Sequence, residues 1–177
     1  MDRELILVYQ PLWPFLEFEG LEGEALVKKY RDVYLSHYVK DADGNPKIWT
    51  DWAGAQVKFS SFRFDHAFTD TQNYRQGLDH EHFSLERAKR MLWIEQVLSA
   101  SAGTIYRYGS TRQSNRGQTL KRRTFLVNEE NYLVVLNAPA AHGKPFEFLT
   151  AYAITDLDYL TRLKQTSVLL DTRKTRS

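Results

Sequence analysis

The sequence predicts an α+β fold, in which a helix packs on a four-stranded antiparallel sheet and an N-terminal α/β extension precedes this core. The first observation is an apolar period of three to four residues along positions 84–98, which is typical of an amphipathic helix. The second is a change after Gly103 to four short segments rich in Val, Tyr, Phe, Thr and Leu, which is typical of strands. A chain of 177 residues provides one domain, with room for an added arm.

The first 57 residues are predicted to form the extension, because their pattern and charge differ from those of the rest. An apolar run at residues 5–9 indicates a strand, which ends before Pro11 because proline cannot continue a strand ladder. Apolar residues at helical spacing over 21–38 indicate a helix. We therefore predict an arm or partner-binding region with a net charge of −4 at residues 1–57, and the main domain at 58–177.

The core helix is predicted at residues 84–98 by its ends as well as by its period. Ser84 is a typical N-cap, and Glu86 adds a negative charge to the first turn. The small residues that lead to Gly103 end the helix. One arc of this helix carries the apolar residues Leu85, Ala88, Met91, Leu92 and Leu98.

The four strands are predicted at residues 104–108, 120–127, 132–136 and 146–154. Side chains alternate along a strand, so Thr150 and Tyr152 are predicted to share the open face of the sheet with Phe148 and Ile154. Leu149 and the two alanines of this strand would then lie under the helix. The last residues, 171–177, are predicted to be a frayed basic tail.

The composition limits the class of protein. Cysteine is absent, which excludes disulfides, thiol nucleophiles and cysteine zinc sites. No apolar run approaches the length of a membrane span, and the N-terminus lacks the apolar core of a secretory signal. These features predict a cytoplasmic protein. The string Asp-His-Glu-His at 79–82 suggests a metal site, but its spacing favours a polar approach to the next helix.

Basic residues are concentrated at positions 103–127, where six Lys and Arg residues occur with no acidic residue. A local field of one sign favours polyanions, of which nucleic acid is the commonest. Aromatic residues alternate with arginine here, a pattern that suits base stacking together with phosphate contact. The predicted nucleic-acid-binding residues are Tyr106, Tyr108, Arg112, Arg116, Lys121 and Arg122.

Several short motifs follow one another along the second half of the chain. Asp-His-Ala-Phe at 65–68 precedes a helix with Arg87 and Trp-Ile at 93–94, and Phe-Leu-Thr-Ala-Tyr-Ala-Ile at 148–154 forms the last strand. Between them lie Tyr-Arg at 106–107, Leu126 and the strand at 131–136. In this order the motifs resemble the phage-associated branch of the barnase–EndoU–colicin–RelE group of nucleases. The resemblance covers about residues 62–154 and identifies 58–177 as the nuclease domain.

The resemblance implies cleavage of RNA on one face of the sheet, by attack of the 2′-hydroxyl on the phosphate, without a metal ion or any other cofactor. His66 would be the acid or base, because an imidazole titrates near neutral pH. Arg107 and Arg123 would clamp the phosphate, since guanidinium offers a planar pair of donors. The implied catalytic set is His66, Arg87, Arg107, Arg123, Thr150 and Tyr152.

Other interpretations remain open for these residues. Arg87 would equally well hold the helix to the sheet, and the hydroxyls of Thr150 and Tyr152 would equally well decorate a solvated surface. A non-catalytic nucleic-acid-binding or regulatory module, or a structural protein, would use the same basic sheet, since fold does not fix function. For the enzyme we expect a toxin or a phage or defence effector that acts on tRNA, rRNA or mRNA. An antitoxin, immunity protein or other partner is expected to bind the N-terminal region.

Overall fold

The computed structural model describes residues 8–70 and 82–175, which form a curled, mixed, seven-stranded sheet with helices against both faces. The helices are α1 (Gly23–Tyr34), which continues as a π-helix at Leu35–Val39, α2 (Arg63–Ala67), α3 (Leu85–Ala88), α4 (Trp93–Ser99) and α5 (Leu157–Thr166). The strands are β1 (Ile48–Thr50), β2 (Gln56–Lys58), β3 (Thr104–Gln113), β4 (Thr119–Val127), β5 (Tyr132–Asn137), β6 (Phe146–Ala153) and β7 (Val168–Lys174). Their order across the sheet is β1-β2-β6-β5-β4-β3-β7.

The predicted fold, one helix on a four-stranded antiparallel sheet, is wrong. Strands do form at the four predicted segments, as the antiparallel neighbours β3 to β6, but the sheet continues on both sides. On one side β2 pairs with β6 in parallel and β1 follows it. On the other side β7 pairs with β3, and residues 171–174 of this strand belong to the segment that was predicted to be a frayed tail. The outer strands of a four-stranded sheet expose unpaired backbone groups, and these added segments satisfy them.

The prediction of a single helix at residues 84–98 is also wrong, because this segment forms two short helices, α3 and α4. Ser84 caps α3 by accepting a hydrogen bond from the backbone N–H of Arg87 at 3.3 Å. In a continuous helix the carbonyl of Lys89 would accept from Trp93. Here it accepts from the backbone N–H of Leu16 at 2.7 Å, and Trp93 donates to Arg90 instead. A hydrogen bond from the N-terminal segment therefore replaces one of the helical hydrogen bonds at this break.

The main core lies between the sheet and helices α1 to α4, and the first 57 residues supply much of it. Tyr30, Tyr34 and Tyr38 are fully buried, and the ring of Tyr34 lies 6.4 Å from that of Phe148 on β6. The two predicted domains therefore share one hydrophobic core. The boundary at residue 57 stays a prediction, which a truncated chain can test.

The opposite face of the sheet carries a smaller apolar cluster. Tyr108, Leu126 and Leu133 are buried there, and Leu160 and Leu163 of α5 pack against them. No residue of α5 is itself buried, so this helix covers the face without being enclosed by other elements. We call the face of the sheet that carries α5 the α5 face.

The strand predicted at residues 5–9 lies mostly outside the described residues, and Val8 and Tyr9 are not in a strand.

Within the ranges 8–70 and 82–175, no helix has the length and hydropathy that are needed to cross a bilayer.

Candidate functional site

One histidine and three arginines from three separate elements interact electrostatically at the edge of the α5 face. Two hydroxyl side chains of β6 point to the same face, because their strand partners on β5, Val135 and Leu133, belong to it. We call these six residues the His66 cluster: Arg63 and His66 of α2, Arg87 of α3, Arg122 of β4, and Thr150 and Tyr152 of β6.

Helix α2 is fixed by contacts on both of its sides, and these contacts determine where His66 lies. Phe64 and Ala67 are fully buried in the main core. On the other side the Arg63 Nε donates to the Glu147 Oε1 of β6 at 3.1 Å. Arg87 ties α3 to α2 by donating to the carbonyl of Ala67 at 3.4 Å. His66 therefore sits on a short helix that is held against β6 by packing and by charge.

His66 is neutral at neutral pH. Partial burial of the imidazole, together with the smaller effect of the positive charges of Arg63, Arg87 and Arg122, lowers its pKa from 6.5 to about 4. Burial disfavours the protonated form because a charge loses solvation, and each nearby guanidinium repels a second positive charge. The imidazole is therefore a proton acceptor in a strongly positive surrounding.

Tyr152 is the phenol of the cluster and keeps its proton. Its hydroxyl donates to the hydroxyl of Tyr159 on α5 at 3.1 Å, and the guanidinium carbon of Arg87 lies 4.9 Å from its ring centre. Burial and the bond to Tyr159 raise the pKa of Tyr152 above its ordinary value. A depression of about 290 Å³ opens beside these three side chains and reaches Asp156.

The strand alternation predicted for β6 holds for Thr150 and Tyr152 but fails next to them. The register between β5 and β6 shifts between Val135 and Leu136, so Phe148 pairs with Leu136 and Thr150 with Val135. This bulge puts Phe148 in the main core, whereas Thr150 faces the α5 side. A bulge of one residue re-aims the side chains beyond it, and the sequence alone does not reveal it.

Arg122 brings an incompletely bonded cation to the cluster. Its Nε is buried and has no hydrogen-bond partner among the described residues. Asn137 is the residue opposite Arg122 in the β4–β5 ladder. Its Oδ1 is also buried and also has no hydrogen-bond partner among the described residues. Burial and the charge of Arg112 lower the pKa of Arg122. A buried donor without a partner costs on the order of 1–3 kcal/mol, and a bound phosphate oxygen would satisfy it.

Arg107 and Arg123 do not join His66, because their side chains lie on the other face of the sheet with Phe125. Arg107 donates through two nitrogens to both carboxylate oxygens of Asp171 on β7, each at 2.8 Å. A third nitrogen lies 3.6 Å from the Oδ2 of Asp51, whose side chain is only 1% exposed. The charge of Arg107 is therefore balanced by two carboxylates, and this arginine ties β7 to the N-terminal half.

The predicted nucleic-acid-binding residues lie in three different places. Tyr106 and Tyr108 belong to the apolar cluster under α5, and Tyr108 is 7% exposed, which leaves its ring little surface for a nucleobase. Arg112, Arg116 and Lys121 are exposed at the far end of β3 and β4. Only Arg122 is brought to His66.

The other histidines lie elsewhere. The Nε2 of His37 is 3.1 Å from the Oε2 of Glu95 on the side of the main core. His142 is exposed in a loop that lines a cavity of about 580 Å³ with Lys121 and Lys144. Of the string at 79–82 only His82 is described; the rest lies outside the described residues. In the described part of the chain no three acidic or histidine side chains are grouped as metal ligands.

Arg63 and Tyr159 also belong to this region, although the sequence did not predict a role for either of them. Arg63 lies one helical turn before His66, and this spacing of three was the available signal, since residues three apart share a helix face. Tyr159 gave no signal, because its contact with Tyr152 depends on how α5 packs.

Comparison of the chain with protein-family models, with curated proteins and with solved structures gave no match. Function therefore has to be inferred from the geometry and charge of the His66 cluster.

Proposed function

We propose that the chain is a metal-independent RNA endonuclease that acts at the His66 cluster. The observation that carries the proposal is a histidine held neutral beside three guanidinium groups, with a protonated phenol on the neighbouring strand. Cleavage of RNA through its 2′-hydroxyl needs a base, cations for the charge on phosphorus and a proton for the leaving oxygen. Each of these needs has a candidate in the cluster.

His66 is the base in this proposal. Its imidazole takes the proton of the 2′-hydroxyl, the 2′-oxygen bonds to the adjacent phosphorus, and the bond from phosphorus to the 5′-oxygen breaks. The products end in a 2′,3′-cyclic phosphate and a 5′-hydroxyl. A base with a low pKa is weak, and burial is the main cause of the low pKa of His66. Phosphate oxygens bound to Arg87 and Arg122 would offset the smaller part of the lowering, which comes from the positive charges of these arginines.

Tyr152 is the donor to the leaving 5′-oxygen. An alkoxide is far more basic than a phenolate, so a phenol with a raised pKa still gives up its proton to it. The nearby Arg87 would stabilise the phenolate that forms, and Thr150, which faces the same side, would donate to a phosphate oxygen. Exchange with water then restores both His66 and Tyr152.

The test is incubation of the full chain with an RNA, and with the same sequence as DNA, in excess chelator. We expect cleavage of the RNA alone, with cyclic phosphate ends. His66→Gln should lower the rate by about 10²–10⁴ while RNA binding remains, and Tyr152→Phe should lower it less. The matched control is Arg173→Ala. Arg173 is exposed and lies at the end of the β3–β7 ladder that is farther from Arg122. Cleavage of DNA, or loss of all cleavage in chelator, would contradict the proposal.

A binding module without catalysis is the second candidate, and Arg122 favours it. A buried Nε without a described partner is satisfied by a bound phosphate whether or not a bond is cleaved. In the same experiment this candidate predicts RNA that is bound in a salt-dependent way and recovered intact.

The biological setting belongs to the proposal as well. We infer a toxin, or a phage or defence effector, acting in the cytoplasm on tRNA, rRNA or mRNA. An antitoxin or immunity protein would bind the acidic N-terminal region, whose net charge is −4 over residues 1–57. Co-purification of such a partner with the full chain, and its loss on charge reversal in this region, would support this setting.

A further inference from the structure

The hairpin of β3 and β4 extends beyond its neighbours in the sheet. The two strands pair as far as Gln113 and Thr119, whereas β7 pairs with β3 only up to Gly109 and β5 pairs with β4 only up to Arg122. We call residues 111–121 the basic ribbon. At about 3.3 Å per residue, it reaches roughly 13 Å past the sheet to its turn at 114–117.

The basic ribbon carries positive charge on both faces and at its tip. Arg112 faces the same side as Arg122 and Tyr108, whereas Lys121, which pairs with Thr111, faces the opposite side. Arg116 lies in the turn. All three cations are exposed, and no carboxylate of the described residues forms a salt bridge with them.

This distribution distinguishes between two forms of nucleic acid. An element that lies along a single strand meets phosphate on one side and needs cations on one face. An element that lies between the two backbones of a helix meets phosphate on both sides. The projecting ribbon, with cations on both faces and at its end, fits the second arrangement, since phosphate contacts position a protein on a duplex.

The C-terminal end of the basic ribbon adjoins the His66 cluster. Arg122 belongs to the cluster and directly follows Lys121, the last residue of the ribbon. We propose that the basic ribbon binds the helical stem of a structured RNA, whose adjoining single strand enters the His66 cluster. This inference deepens the proposed function and rests on it for the claim that the single strand is cleaved.

The experiment measures equilibrium binding of the full chain to an RNA hairpin with a 2′-deoxyribose single-stranded tail, and to the tail alone. The tail lacks the nucleophile, so it stays intact during the measurement. We expect the hairpin to bind at least about tenfold more tightly, with a salt slope steeper by about two, as two to three phosphates are contacted. The variant R112A/R116A/K121A should lose this preference and retain its affinity for the tail within about threefold.

The control variant K40A/R173A/K174A removes the same number of exposed charges away from the ribbon and should keep the hairpin preference. An equal loss of affinity for hairpin and tail in the ribbon variant would overturn the assignment to a stem, as would a wild-type chain without hairpin preference. Cleavage of unstructured RNA is measured separately. If that cleavage is absent while the hairpin preference depends on the ribbon, the endonuclease proposal fails and the stem-binding proposal stands.

Discussion

At the scale of single residues, His66 differs from an ordinary histidine in when it becomes protonated. A general base works only when it is neutral, which is the case above its pKa. Because burial and three arginines lower this pKa to about 4, kcat/KM should be independent of His66 protonation from neutral pH down to about pH 5. A pH profile of RNA cleavage tests this. An acid limb near pH 6.5, the ordinary value for histidine, would contradict it.

Arg107 is expected to stabilise the fold. Arg107→Ala removes the guanidinium that lies 3.6 Å from the carboxylate of Asp51, which is 1% exposed. Removing one partner of a buried ion pair costs about 3–5 kcal/mol, so the free energy of unfolding in urea should fall by about this amount. Arg162→Ala, whose contact with Asp156 is exposed and 4.0 Å long, should change it by less than about 1 kcal/mol. Equal losses in both variants would remove the structural role of Arg107.

Adjacent arginines show why the site could be predicted only in part. The sequence places Arg122 and Arg123 in one strand, and alternation requires that they face opposite sides. Which one faces the site depends on the register of β4 against β5, and a shift of one residue would exchange them. His66, Thr150 and Tyr152 were named from short motifs, whereas register is set by contacts between distant segments. For this reason the sequence named Arg123 in the catalytic set, whereas the structure brings Arg122 to His66.

At the scale of elements, the strands that local sequence specifies were predictable. Turn residues and a period of two mark β3, β4, β5 and β6 along the chain. In contrast, β7 exists because β3 offers an unpaired edge, and α3 and α4 are separate because Leu16 takes the carbonyl of Lys89. Both features depend on contacts between residues that are far apart in sequence, and a local sequence pattern does not reveal such contacts.

Helix α5 is expected to open more easily than the sheet that it covers. None of its residues is buried, whereas five residues of β5 are. Local opening costs little where few apolar contacts are broken. Amide hydrogen exchange should therefore be faster in residues 157–166 than in residues 132–136. Equal protection in the two segments would mean that α5 opens only when the whole molecule unfolds.

At the scale of the whole molecule, the N-terminal residues are expected to be required for folding. Tyr30, Tyr34 and Tyr38 are fully buried in the core that contains Phe148, and Val57 of β2 pairs with Phe146. A chain that starts at Phe59 loses all of these contacts. Circular dichroism and urea titration should show no cooperative unfolding of such a chain. A cooperative transition with native-like helix content would instead establish residues 1–57 as a separable arm.

In the proposed function, RNA is cleaved on the face of the sheet to which Arg122 points. The most direct measurement compares single-turnover cleavage of RNA, in chelator, by Arg122→Gln and Arg123→Gln, since these neighbours lie on opposite faces. Loss of one donor to the transition state costs about 10²–10³ in rate, so Arg122→Gln should lose this much and Arg123→Gln less than about tenfold. A large loss in Arg123→Gln together with a normal rate in Arg122→Gln would move the reaction to the other face and contradict the account.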